Sequence, residues 1–336
     1  MPASAFCART VSPAGCRSSM SRQHKHQRYS KRRAAADGMK LHLRLLKVRG
    51  VDMRVITLRP HTEASFSTNY YHATWHILSD QHGAKLLGRL LWGLSYQSKR
   101  GTAILLHGEH IKPTPFGAEP SNPILLFVSG HASTHLKHLR ALRRRINQLG
   151  RSGCSLRLKS FGLDAALDRE SAAREVGEYQ PEFSELHYSS SDSQWRQEQM
   201  FCRGGFVCYT APAEVMRMRA MTISQLDPTS YGMDYYFLAE DPSYRWPDGE
   251  VQIFSDYRQR SQAAEQARRE VLSSGQQFDT PEQLYEVVAS KRNFLLRKRQ
   301  ANKKKRRVRE RRKQEPAARQ SHRRTSASII KAAPAE

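Results

Sequence analysis

The chain has 336 residues, with 56 Lys/Arg against 31 Asp/Glu and a formal net charge of +25. Its richest apolar stretches, 86–94 and Ile124–Val128, are short or interrupted and fall well below the ~18 apolar residues of a membrane span. Five cysteines, two of them in the first 16 residues, do not make a disulfide framework and favour a reducing compartment.

The charge is uneven. Residues 1–40 carry nine Lys/Arg against one acid (+8), residues 291–336 eighteen against three (+15), and the 250 residues between them 29 against 27 (+2). That body has its own polarity, +13 over 41–160 and −11 over 161–290. The expected fold is α+β: a mixed globular body over about 41–296, a disordered basic N-terminal arm and a basic helical or disordered C-terminal tail. The expected organisation is an arm over 1–38, a basic α/β half-domain over 39–160, an acidic α+β half-domain over 161–296 and a tail over 297–336. The arm lacks the apolar stretch of a secretory signal. Its Ser-, Ala- and Arg-rich composition also fits an organellar transit peptide, or a reading frame whose true start is Met20.

In chain order, two short strands over 40–48 and 52–58 around Arg49-Gly50 predict a hairpin. The aromatic segment 69–78 reads as a strand or the start of a helix. Leu86, Leu87, Leu90, Leu91 and Leu94 recur at helical spacing and predict an amphipathic helix over 83–96. Thr102–Leu106 and Ile124–Val128 predict buried strands. The loop between them, with Pro113, Pro115, Pro120 and Pro123, is long enough to suggest a functional loop. Leu136, Leu139, Leu142, Ile146 and Leu149 form one stripe of a helix capped by Ser133 or Thr134 and stopped at Gly150. Residues 163–200 predict short helices and a Ser-rich loop. A strand over 205–210, a Met-bearing helix over 212–224 and a hairpin over 234–240 and 250–256 follow, with Tyr231, Tyr235, Tyr236 and Phe237 expected in the core. A helix over 258–273 precedes another announced by Thr280-Pro281-Glu282-Gln283, a cap, a Pro at the first helical position and a Gln three residues after the cap. Its apolar anchors end near Arg297, while its charge continues through 298–313. Residues 314–336 read as disordered.

The strongest binding signal is the run Lys303, Lys304, Lys305, Arg306, Arg307, Arg309, Arg311, Arg312 and Lys313. Such a cluster attracts phosphates by Coulomb forces and counterion release, without distinguishing sequence, or DNA from RNA. The same run also fits, less well than nucleic acid, a localisation-type sequence, a membrane-surface or acidic-protein contact, or a solubilising tail. Arg140, Arg143, Arg144 and Arg145 add phosphate contacts on the helix near 140. Eight of the 14 histidines fall within 72–138. His72 and His76 share a face, as do His135 and His138, so these four are weak candidate ligands for a divalent metal; no cofactor is otherwise predicted. No HExxH or CxxC accompanies them. Glu109 between His107 and His110 is a candidate acid/base group, while Ser129-Gly130-His131-Ala132-Ser133 lacks the GxSxG pattern and reads as a helix cap. Tyr70, Tyr71 and Trp75 suggest either stacking of bases or core packing.

These features predict an intracellular protein of the cytoplasm, nucleoid or nucleus that binds nucleic acid without sequence preference. Two other functions fit the same residues: a metal-dependent nuclease or strand-transfer enzyme using the 72–138 histidines, and an accessory protein of an RNA-rich particle.

Overall fold

A computed structural model describes residues 38–132, 135–150, 153–160, 162–175, 197–239 and 247–330. The arm before residue 38, Ser133 and Thr134, and the Ser-rich segment around 190 lie outside the described residues. The fold is mixed α+β. The first hairpin is β1 (Gly38–Val48) and β2 (Val51–Thr57), joined where Arg49 and Gly50 take positive φ. The second is β3 (Ser67–Tyr71) and β4 (Thr74–Ser79), followed by α1 (Gln81–Ser95), β5 (Thr102–Leu106), β6 (Ile124–Val128) and α2 (Leu136–Ile146). Then come β7 (Cys154–Lys159), α3 (Leu163–Glu175), β8 (Gln199–Arg203), β9 (Phe206–Ala211) and α4 (Ala213–Gln225). The chain closes with β10 (Met233–Leu238), β11 (Gly249–Phe254), α5 (Tyr257–Ser273) and α6 (Pro281–Ile330).

Two mixed sheets form. The larger has the order β7-β1-β2-β5-β6-β9-β8 and the smaller β10-β11-β4-β3. Both therefore draw strands from either side of residue 160. The layers follow from the apolar patterning. On the central sheet, Leu41, Ile56, Ile104, Leu126 and Tyr209 face α1 and α4, and across those helices Ile77, Val251 and Ile253 of the smaller sheet close the same core. The opposite face, with Val55, Leu105, Leu125, Phe127 and Phe206, is covered by Leu139, Leu142 and Ile146 of α2. Alternation along each strand supplies both faces.

α1 starts at Asp80, whose Oδ1 accepts the Gly83 N–H at 2.8 Å. Buried on several sides, it meets α4 at close range: a Cβ at Gly88 would fall 2.7 Å from the Ala220 carbonyl oxygen. A second core device joins the sheets. Arg219, 1% exposed, donates Nε to Glu198 Oε1 at 2.9 Å and Nη2 to Oε2 at 2.7 Å. Tyr209 Oη donates to Glu198 Oε1 at 2.8 Å, and Arg219 Nη1 donates to Tyr236 Oη. β9, α4, β10 and the segment before β8 are thus tied through one buried ion pair. The pair holds Arg219 more firmly in its charged form and pushes the Tyr209 hydroxyl well up from its ordinary pKa, burial being the first cause for the tyrosine.

Several expectations change. Segment 69–78 is neither one strand nor a helix, because His72 and Ala73 both take positive φ (50° and 61°) and turn the chain into a tight hairpin. α2 begins at Leu136 with His135 as its N-cap and no side-chain cap bond, and it ends at Ile146, short of Gly150. The Met-bearing segment, the hairpin near 250 and the helix from 258 form as expected. Tyr231 is 94% exposed and Tyr235 also faces solvent; of that aromatic group, Tyr236 packs against the core.

The Pro-rich loop is held by the helical hairpin of α5 and α6. Arg292 Nη1 donates to the Pro115 and Phe116 carbonyls at 3.2 and 3.0 Å, and Arg268 Nη1 to that of Gly117 at 3.0 Å. Gln283 and Thr280 cap α6: Thr280 Oγ1 accepts the Gln283 N–H at 3.3 Å, and Gln283 Oε1 accepts the Asp279 N–H at 3.0 Å. Val288 and Leu295 anchor the helix on α5, and from Arg297 to Arg307 every side chain is exposed. At 1.5 Å per residue, its 50 residues extend about 75 Å. Among the described residues no helix is long and apolar enough to cross a membrane.

Candidate nucleic-acid interface

The apolar stripe of α2 fixes which of its side chains face outward. With Leu139, Leu142 and Ile146 on the sheet, Arg140, Arg144 and Arg145 are exposed and Arg143 is half-buried at the edge. Arg145 Nη1 donates to the Lys47 carbonyl at 2.7 Å, which ties the helix to the end of β1. The β1–β2 turn brings Arg49 alongside. Arg49, Arg144, Arg145, Ala141 and Gln148 line a surface cleft of about 300 Å³. Among the described residues, Arg49, Arg140, Arg143 and Arg144 form no ion pair with a carboxylate. Arginines in a last helical turn gain a few tenths of a kcal/mol from the helix dipole, which explains one or two of them and not Arg49. On the other flank the β8–β9 turn, Gly204-Gly205, presses on the helix. A Cβ at Gly204 would lie 2.8 Å from Leu139 Cβ and 3.2 Å from the Arg140 nitrogen.

A second basic feature lies beyond the C-terminal end of α2. β2 and β5 are parallel, so Thr57 and Leu105 are paired and the segments leaving both strands emerge side by side. β1 contributes His42, paired with Thr57, and Arg44, paired with Val55. Arg44 Nη1 donates to Thr57 Oγ1 and its Nη2 to the Gly150 carbonyl, while Arg59 Nη2 donates to Ser155 Oγ. His107 borders two adjoining clefts. One, of about 210 Å³, includes Arg44, Thr57, His61 and Glu109; the other, of about 420 Å³, includes Arg143, Ser121 and Asn147. Gly108 and Leu149 belong to both.

The histidines here are held neutral. Burial first, then the Arg44 guanidinium, His110 and Arg143, lower the His107 pKa to about 4. Burial, then Arg44 and Arg59, lower that of His42, and burial lowers that of His110. Glu109 Oε1 accepts the His61 N–H at 3.1 Å.

Comparison of the chain with family models, curated proteins and solved structures finds no match.

The acid/base candidates His107, Glu109 and His110 are brought together, at the N-cap of and within a single turn of 3-10 helix, Gly108–His110. His61, Glu109 and His110 also face a third cleft, of about 410 Å³, with Lys112, Arg258 and Glu265. The metal candidates are not brought together. His72 sits in the β3–β4 turn, whereas His76 is buried with Nε2 3.2 Å from Glu250 Oε2. His135 caps α2 and is exposed; His138 is buried, its ring centroid 5.9 Å from that of His135. Among the described residues no group of three or more His, Cys, Asp or Glu is placed to share a metal ion. Trp75 is half-buried against the core and Tyr70, its ring 4.9 Å away, is exposed together with Tyr71.

The tail candidates Lys303, Lys304, Lys305, Arg306 and Arg307 are exposed on α6; Arg309, Arg311, Arg312 and Lys313 lie further along it. Arg306 Nε pairs with Glu310 Oε1 at 3.3 Å. The residues missed by sequence reasoning are Arg49, His42, Arg44 and Arg59, which lie 48 (Arg59 to His107) to 104 (His42 to Ile146) positions from the helix and loop they join. The Arg49-Gly50 turn was the one signal that could have found any of them.

Proposed function

We propose that the protein binds nucleic acid through its sugar–phosphate backbone, with α2 and the β1–β2 turn as the contact on the body and the outer part of α6 as a second, extended contact. The observation that carries this reading is the outward arginines of α2, Arg140 and Arg144, with Arg49 beside Arg144 on one flank and Arg143 at the edge of the other, all without carboxylate partners among the described residues. Guanidinium groups left in that state favour phosphate, which they can hold through two parallel N–H donors. α2 lies flat on the sheet through three apolar side chains, a placement suited to backbone contact rather than to insertion in a groove.

On α6 the like charges at i and i+4, such as Lys303 with Arg307, weaken an isolated helix and are relieved by an anionic partner. The test is fluorescence anisotropy of unrelated single- and double-stranded oligonucleotides, DNA and RNA, across a salt series. The expected result is comparable affinity for unrelated sequences, falling steeply with salt, and a shallower log–log slope after removal of 297–336. Absence of binding at about 50 mM salt would overturn the reading.

A further inference from the structure

We infer that the notch beyond the C-terminal end of α2, where β2 and β5 terminate, is a site for a dianionic phosphate monoester, gripped by Arg44, Arg59 and Arg143 with the imidazoles of His42 and His107 beside it. The inference rests on the nucleic-acid reading only for where such a group would come from; its chemistry rests on the notch.

The two arginines on the β1 side are positioned before any ligand arrives. Arg44 is fixed by Thr57 and by the Gly150 carbonyl, and Arg59 by Ser155. Each contact uses part of a guanidinium that has five N–H donors. Beside Arg44, two polar atoms are buried without a hydrogen-bond partner among the described residues, His42 Nδ1 and Arg59 Nε. Such atoms are costly to leave buried unless something answers them. Glu109, which lines the smaller cleft with Arg44, already accepts the His61 N–H.

The space is sufficient: clefts of about 210 and 420 Å³ meet at His107, Gly108 and Leu149, and a Cβ added at Gly108 would meet nothing within 4 Å. A monoester carries close to two negative charges at neutral pH, against one for the diester in a chain, so a cluster of three guanidiniums favours an end phosphate or a free one. Neutral imidazoles at His42 and His107 add a donor or an acceptor without further positive charge. Arg143 follows Arg140 by one helical turn, so a strand lying across α2 would bring its end to the notch.

The experiment compares full-length protein binding to one oligonucleotide sequence with a 5′-phosphate, a 3′-phosphate or hydroxyl ends, and to inorganic phosphate alone by phosphorus NMR line broadening. A phosphorylated end should bind about tenfold tighter, the increment of one or two charge-assisted hydrogen bonds. Inorganic phosphate should compete for that increment. His107→Ala and Arg59→Ala should bring the ratio to one with unchanged melting temperatures; if Arg59→Ala melts lower, Arg59→Gln, which keeps a donor for Ser155, replaces it. Equal binding of all three oligonucleotides with no phosphate signal overturns the notch and leaves the nucleic-acid reading standing. Phosphate binding that the variants lose, without oligonucleotide binding, supports the notch and overturns nucleic acid as the source.

Discussion

Arg219 and Arg144 are the same residue in opposite circumstances. Arg219 is buried in the core between the sheets, paired with Glu198, which Tyr209 also bonds, and held by Tyr236. Arg144 stands on the outside of α2 beside Arg49, with no carboxylate facing it among the described residues. The first has its partners within the fold; the second, among the described residues, has no carboxylate partner, and the proposed interface supplies a phosphate from outside. Charge alone does not distinguish these two arginines; the presence of an internal partner does.

The comparison breaks first at the buried pair. Glu198→Ala leaves Arg219 charged in the core and should destabilise the protein by about 3–5 kcal/mol, measured as a shift in urea midpoint at constant m-value. A change below about 1 kcal/mol would mean that the pair is not the tie between the sheets. A next, smaller effect comes from pH. His107 has a folded pKa near 4 and an ordinary one near 6.5, so between these values the unfolded chain binds the proton and the folded one does not. Stability is therefore full above about pH 6.5 and falls as pH drops toward 4, by at most about 3 kcal/mol from this group, with His42 and His110 acting in the same direction. Urea midpoints at pH 7 and 4.5 should converge partly in His107→Gln; identical pH profiles for variant and parent would refute the burial of a neutral His107.

Gly204→Ala should cost roughly 1–3 kcal/mol, because its φ of +64° is unfavourable for alanine and the new Cβ meets Leu139. Its melting temperature should fall, and an unchanged value would show that the β8–β9 turn does not bear on α2. At the small end, Arg144→Ala should change stability by less than about 0.5 kcal/mol, as expected of a surface side chain without a partner. A larger loss would give it a structural role and remove the contrast with Arg219.

Much of this fold was legible in the sequence. Thr102–Leu106 and Ile124–Val128 are five-residue apolar runs, too short for helices and bounded by Gly or Pro, and both are strands. The stripe of α2 was legible for the same reason that its arginines were: a helix on a sheet shows one apolar face and hence one polar face. The hairpin at His72 was not, because positive φ at His and Ala has no mark in composition, and its turn separates His72 from His76. The notch was not legible either. His42, Arg44 and Arg59 join His107 and Arg143 only through the β1–β2 and β2–β5 pairings, and strand register between distant segments is not written in either segment. The length of the Pro-rich loop suggested function; the sequence did not show that its carbonyls at Pro115, Phe116 and Gly117 are also held by Arg292 and Arg268 of the helical hairpin.

The central claim is tested most directly by the salt dependence of duplex DNA binding for the parent and for the variant carrying Arg49→Ala, Arg140→Ala and Arg144→Ala. Each lost phosphate contact should lower the log–log slope by about 0.9, so the triple variant should lose between one and three such increments while its melting temperature stays the same. A slope identical to the parent's would remove α2 and the β1–β2 turn from the interface.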